Sequence, residues 1–254
     1  MVNLIVAEES LNDIELVIFD KDGTLFDLHK YWSFVIKERA KYFASFFTNH
    51  EVNSVFSMLI GVMGLIENDR ISKIGPIGIK PRDYIIDLVY SALKIKSPNF
   101  SMKDVEYGFE LIDSIIDNNF GKVIKKLPGV DEIISALKER GCLIVVATSD
   151  IEQRAITAFE YAKMLDYFDY IVGSDQVLHS KPDSEMVDVI LDKFNYINRD
   201  NVVLIGDSIS DLEMAKNANI NFIGVTTGAN SDEFIRNSEF LVESLLGIEV
   251  KKSY

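Results

Sequence analysis

Hydrophobic and polar positions change their spacing twice along the chain. Leu16 to Phe19 is an unbroken apolar run bounded by polar residues, the mark of a short strand buried on both faces. It delivers Asp20 to the strand's carboxyl end, and Asp22, Gly23 and Thr24 follow in a tight turn. Residues 2–6, VNLIV, predict a short edge strand or packing arm ahead of it. From about Tyr31 to Phe120 the pattern changes: Phe, Ile, Leu and Met recur at helical spacing, predicting helices near 31–48, 52–66, 82–94 and 102–118. Ser101 opens the last of these, with Val105 and Phe109 on one face. The loop GPIGIKPR, Gly75 to Arg82, separates the second from the third.

From Leu127 onward helical and strand patterns alternate. Pro128 and Gly129 open a helix to Arg140, Gly141 ends it, and CLIVVA feeds a strand ending at Thr148. A helix near 151–163, a strand Tyr170–Val172 and a loop with His179, Lys181 and Pro182 come next. A helix near 184–194 leads to the strand NVVLIGD, which ends at Asp207. Asp211 opens a helix through Ala218, followed by the strand NFIGV and terminal helices. This alternation predicts an α/β fold with a doubly wound, mostly parallel sheet. Its core comprises residues 1–30 and 121–254, and residues 31–120 form an inserted helical domain.

Composition narrows the function classes. The 254 residues are 48% hydrophobic, enough for a large core. No uncharged stretch exceeds the 15 residues of Val52 to Ile66, short of the roughly 20 of a membrane span, and that stretch reads as a buried helix. Glu8 and Glu9 interrupt the first apolar run and no basic segment precedes it, so no signal peptide is expected and a cytoplasmic location is. A net charge of −14 opposes nucleic acid and anionic lipid, yet leaves room for a small anionic substrate held by a local cation. Cys142, the single cysteine, lies in an apolar run and reads as a core residue. Assembly is expected to stop at monomer or homodimer.

Asp20 and Asp22 are the first candidates for chemistry. Two carboxylates so close repel unless they share a cation or one keeps a proton. An EF-hand calcium loop counted from Asp20 fails, because Gly23 falls at position 4 and Tyr31 at position 12. A plain strand with an Asp-Gly turn is the other structural reading. Gly23 permits a sharp turn and is expected to leave its N–H open to an anion. Strand ends or their loops also carry Thr148, Lys181, and Asp207 with Asp211, and in a parallel sheet ligands bind at the carboxyl ends of the strands. Carboxylates, a hydroxyl, a lysine and turn N–H groups suit a metal-assisted reaction on a phosphate.

DKDGTL at Asp20, the apolar run ending in Thr148, KPD at Lys181 and GDSISD from Gly206 to Asp211 resemble the four motifs of the haloacid dehalogenase superfamily, in its order. The pattern is closest to its phosphoglycolate-phosphatase-like members, and the helical insert stands where that family carries a cap domain. The resemblance implies a Rossmann-like core and a Mg²⁺-dependent phosphatase acting on a small phosphorylated metabolite through an aspartyl phosphate. It makes Asp20 the nucleophile and Asp22 the general acid and base. Mg²⁺ would be held by the side chains of Asp20 and Asp207 and the backbone carbonyl of Asp22, with Asp211 behind them or joined through water. Thr148 and Lys181 would serve the phosphoryl group, and Gly23 and Ser149 would join them in binding substrate. A mutase of the β-phosphoglucomutase type uses the same residues, and a binding protein on a retired phosphatase scaffold is a third reading. Dehalogenation is disfavoured because Asp22 supplies an acid that a halide leaving group does not need. His29 and His179 lie near motif residues as candidate substrate contacts, and Lys80 and Arg82 as candidate partners for a second anionic group.

Overall fold

The computed structural model describes residues 1–77, 80, 82–117, 120–228 and 232–253. Gly78, Ile79 and Pro81 of the GPIGIKPR loop, and Asn118 at the end of the expected fourth helix, lie outside the described residues. In chain order the elements are β1 Val2–Val6, β2 Glu9–Ile14, β3 Leu16–Phe19, α1 Leu28–Ala44, α2 Val52–Val62, α3 Arg82–Lys96, α4 Met102–Asp117, α5 Phe120–Val123, α6 Val130–Glu139, β4 Leu143–Ala147, α7 Glu152–Tyr161, β5 Tyr170–Val172, α8 Glu185–Lys193, β6 Val202–Gly206, α9 Ile209–Ala218, β7 Asn221–Val225, α10 Asp232–Asn237, β8 Phe240–Val242 and β9 Ile248–Lys252. They divide into two compact units, Met1–Asp27 with Ile124–Tyr254, and Leu28–Val123.

The first unit holds a six-stranded sheet in the order β5-β4-β3-β6-β7-β8, every pair parallel. All four residues of β3 are buried, as their apolar run requires of a strand covered on both faces. Leu16 and Ile18 point to one face, where they join Val145 and Ala147 of β4, Met186, Val187 and Ile190 of α8, and Leu212 and Ala215 of α9 in one apolar core. The chain runs outward through β4 and β5, then returns to place β6 on the other side of β3. The β3–β6 boundary is therefore the topological switch point. Register aligns the strand ends there, with Phe19 opposite both Val146 and Ile205.

A second, antiparallel sheet in the order β2-β1-β9 corrects both ends of the sequence reading. Residues 2–6 form its central strand rather than an edge, and the chain closes on a strand as well as the short α10. β9 reads IEVKK, with Ile248 and Val250 buried and the charged residues exposed, a period-two signal available in the sequence. β2 reads ESLNDI and buries only Ile14, so no local apolar pattern announces it.

The second unit is helical. α1 begins before residue 31, and α3 and α4 end within two residues of the expected limits. The 52–66 segment is not a buried helix: α2 stops at Val62 and buries only Val55 and Leu59. The stretch lacks charge without being apolar all round, and Asn53, Ser54, Ser57 and Gly61 line the exposed side. Inside this unit Arg39, 3% exposed, donates from Nη2 to Asp113 Oδ1 at 2.6 Å. Arg82 donates to the other oxygen of Asp113 at 2.9 Å, so its guanidinium is held by a carboxylate of its own unit.

Candidate active site

β3 ends where the charged residues gather. Asp20 N–H donates to the carbonyl of Ile205 at 2.9 Å, extending the β3–β6 ladder by one residue and fixing Asp20 beside the end of β6. The turn after it closes on Lys21, whose carbonyl accepts from Leu25 N at 3.0 Å and Phe26 N at 2.9 Å. Gly23 stands at φ +98°, where a side chain is strained, and a Cβ there would lie 2.5 Å from Asp207 Oδ2. Its N–H is not open to an anion as expected, because it donates to the carbonyl of Phe26 at 2.8 Å. The glycine serves by its shape and by its carbonyl, which accepts from Thr227 Oγ1 at 2.5 Å.

Lys181 enters from the loop before α8 with its side chain 2% exposed. Its ammonium donates to Asp20 Oδ1 at 2.6 Å and Asp211 Oδ1 at 2.7 Å. Burial alone would lower its pKa, but the two carboxylates outweigh burial and push it up. Asp20 is pushed up to about 7, burial outweighing the pull of Lys181 and the Asp211 charge adding to the rise. Asp207, 5% exposed, is held well above the usual carboxylate range by burial and by the charges of Asp20 and Asp211.

Asp211 is the third residue of α9, and the helix is capped by Ser208 rather than opened by Asp211 itself. Its Oδ2 accepts from Ser208 N at 3.1 Å and Ser208 Oγ at 2.5 Å while Oδ1 faces Lys181. Both oxygens are thus engaged by protein donors. Thr148, 2% exposed, accepts from Asp150 N at Oγ1 over 3.1 Å, which leaves its hydroxyl proton to donate elsewhere. Ser149 beside it is exposed.

The donor set fits a hard divalent cation. Carboxylate oxygens of Asp20, Asp207 and Asp211 lie within 4.8 Å of one another, and Asp20 Oδ2 is buried with no hydrogen-bond partner among the described residues. A Cβ at Gly228 would sit 1.6 Å from Asp207 Oδ2, so two glycines keep the space beside that carboxylate clear. Three carboxylates against one lysine leave an excess of negative charge that oxygen-seeking Mg²⁺ would neutralise.

His179 turns its Nδ1 to Glu185 Oε2 at 3.0 Å on the exposed surface. His29 Nδ1 accepts from Ile71 N at 3.0 Å within the helical unit. Exposed Lys80 lies 5.8 Å from the centre of the Tyr84 ring. Cys142 is buried, its thiol pushed up to about 12 by burial, and its Sγ donates to the Glu15 carbonyl at 3.3 Å, a core residue as expected.

Sequence reasoning passed over Lys21. It is 1% exposed and pairs with Asp22 Oδ2 at 2.7 Å and Asp150 Oδ2 at 3.3 Å. The available signal was a lysine between two aspartates just past the end of an apolar strand, since lysine is almost never fully buried without a partner.

A family model described as haloacid dehalogenase-like hydrolase matches residues 77–225. The chain is 28% identical over 224 residues to the probable phosphatase IndB of Dickeya dadantii (strain 3937), covering 88% of this chain and 86% of that protein. It is 27% identical over 220 residues to the phosphorylated carbohydrates phosphatase of Thermotoga maritima, covering 85% and 88%. The crystal structure of a predicted phosphoglycolate phosphatase from Haemophilus somnus 129pt shares the fold with a TM-score of 0.72 at 17% identity, over 92% of this chain and 96% of that one. Among the described residues no helix is long and apolar enough to cross a membrane.

Proposed function

Since the chain belongs to the haloacid dehalogenase-like hydrolase family and is a phosphoric monoester hydrolase, we propose that it cleaves a small phosphomonoester with Mg²⁺ through a phosphorylated Asp20. One observation carries this reading: a single buried ammonium joins Asp20 to Asp211 at the carboxyl ends of the central strands, beside Asp207. Lys181 holds Asp20 Oδ1 in place and offsets negative charge as the phosphoryl group approaches. Asp20 attacks phosphorus, and the bond to the leaving oxygen breaks. That oxygen keeps the bonding pair and takes a proton from Asp22. Asp22 then accepts a proton from the water that attacks the acyl phosphate, which frees inorganic phosphate and restores Asp20. Thr148 donates its hydroxyl proton to a phosphoryl oxygen, Ser149 lines the approach, and Gly23 keeps clear the space beside Asp207. Asp20, Asp207 and the backbone carbonyl of Asp22 would hold the cation, and Asp211 would orient Lys181 behind them. When bound, Mg²⁺ supplies neutralisation of the phosphoryl oxygens.

The Thermotoga relative's name supports carbohydrate phosphates as one substrate class, and phosphoglycolate is the carboxylated alternative. A panel of both kinds, assayed with Mg²⁺ and with chelator, should release inorganic phosphate only in the presence of metal. Asp20→Asn should abolish turnover while the protein stays folded, because the amide matches the carboxylate in shape but is no nucleophile. Near-wild-type turnover, with deamidation excluded, would sink the covalent route. Isomerised product without free phosphate would assign a mutase.

A further inference from the structure

Lys21 makes poor sense as a stabilising residue. A cation taken wholly out of water costs several kcal/mol, and a buried ion pair is often no better for stability than apolar side chains of the same volume. The position lies two residues beyond β3, whose four residues are apolar and buried, and is itself only 1% exposed. A leucine or methionine would meet the needs of folding there. The lysine instead requires carboxylate partners, and among the described residues these include the proposed acid, Asp22, and Asp150 of the loop that follows Thr148.

That loop is itself tied down. Asp150 Oδ1 accepts from Ile151 N at 2.9 Å and Arg154 Nη1 at 3.3 Å, leaving Oδ2 to face Lys21. Asp150 N–H donates to Thr148 Oγ1, so the anchor of Lys21 is also the partner of the phosphate-facing threonine. Charges alternate in sign along Arg154, Asp150, Lys21 and Asp22. At its far end the two oxygens of Asp22 are unlike: Oδ2 is 2.7 Å from the ammonium, whereas Oδ1 is buried with no hydrogen-bond partner among the described residues. An ammonium only donates, so the oxygen facing it accepts and the acid proton is favoured on the other.

We propose that Lys21 is a positioning residue: clamped by Asp150, it holds Asp22 Oδ2 and thereby presents Oδ1 as the oxygen that exchanges the proton. The proton leaves Oδ1 as the ester P–O bond breaks and the departing oxygen takes it; the attacking water later returns a proton to the same oxygen. This rests on the assignment of Asp22 as the acid. It adds that the acid depends on a residue that touches neither substrate nor metal.

The test compares two substrates of nearly one shape, 4-nitrophenyl phosphate, whose leaving group hardly needs a proton, and phenyl phosphate, whose leaving group does. Lys21→Met should lower kcat for phenyl phosphate at least about tenfold more than for 4-nitrophenyl phosphate, with KM for each within about threefold of wild type. If that variant does not fold, Lys21→Met with Asp150→Asn removes one of the two stranded charges and should show the same selective loss. Equal losses on both substrates in the folded variant would overturn the positioning role. Asp22→Asn is run alongside. Selective loss in Asp22→Asn without selective loss at Lys21 overturns only this inference; equal losses in Asp22→Asn overturn the acid assignment and this inference with it.

Discussion

Asp20 shows how burial and charge compete at one residue. It is 7% exposed, and burial raises its pKa to about 7 although an ammonium stands 2.6 Å away, because Asp211 and Asp22 add negative charge. The unfolded chain loses that proton near 3.8. Between those values the metal-free folded protein holds more protons than the unfolded one, so its stability falls as pH rises from about 4 to about 7 and levels off above. For Asp20 alone the span is on the order of 4 kcal/mol at most. Thermal melts in chelator should therefore show a lower Tm at pH 8 than at pH 5, Asp20→Asn should shrink the difference, and Mg²⁺ should restore more at pH 8. A flat profile in both proteins would mean that Lys181 outweighs burial at this carboxylate. The sequence marked Asp20 and Lys181 as a site but carried no sign of which force prevails, since burial is a property of the packed molecule.

Between elements, the same dependence on close approach governs α1 and α4. Gly108 lies inside α4, where glycine ordinarily costs about 1 kcal/mol against alanine. Here a Cβ would lie 2.5 Å from the ring of Phe43 and 2.6 Å from that of Tyr42, and Phe43 is fully buried, with no open side to swing toward. Gly108→Ala is thus expected to destabilise the protein by about 1–3 kcal/mol despite its helix propensity, read as a lower midpoint in denaturant. A rise in stability would show that the rings yield. In the other unit, parallel register on both sides of β3 does the comparable work of aligning the ends of β4, β3 and β6. That alignment brings Thr148, Asp20 and Asp207 to one edge of the sheet from three distant stretches of chain.

Over the whole molecule, the chain begins and ends in one sheet. β1 pairs through Val2–Val6 with Lys252–Ile248 of β9, and Ile248 and Val250 are buried. The α/β unit is thereby assembled from residues 1–27 and 124–254, with the helical segment inserted between them in sequence. Deleting residues 248–254 exposes one side of β1 and removes two buried side chains, worth about 3–5 kcal/mol together. Such a truncated chain should unfold at a clearly lower denaturant concentration; an unchanged midpoint would make β9 an ornament of the fold. The −14 charge plays no part in this closure, which is made by backbone pairing and apolar burial.

The amino-acid sequence by itself determined what depends on near neighbours. Apolar runs such as LVIF and VVLIG form strands that must be buried on both faces, helical spacing filled the insert, and the aspartates stand where those strands stop. The positions of Asp20, Thr148 and Asp207 at strand ends were legible for that reason. Tertiary structure alone decided the rest. β2 is too polar to declare itself and is a strand because β1 lies beside it. Gly23 was expected to offer its N–H to an anion until the turn brought the Phe26 carbonyl to it. Nothing local in the sequence paired Lys21 with Asp150, which the fold places against it. In each case the deciding partner is supplied by folding, and a hydrogen bond or buried charge takes its meaning from the partner it meets once water has gone.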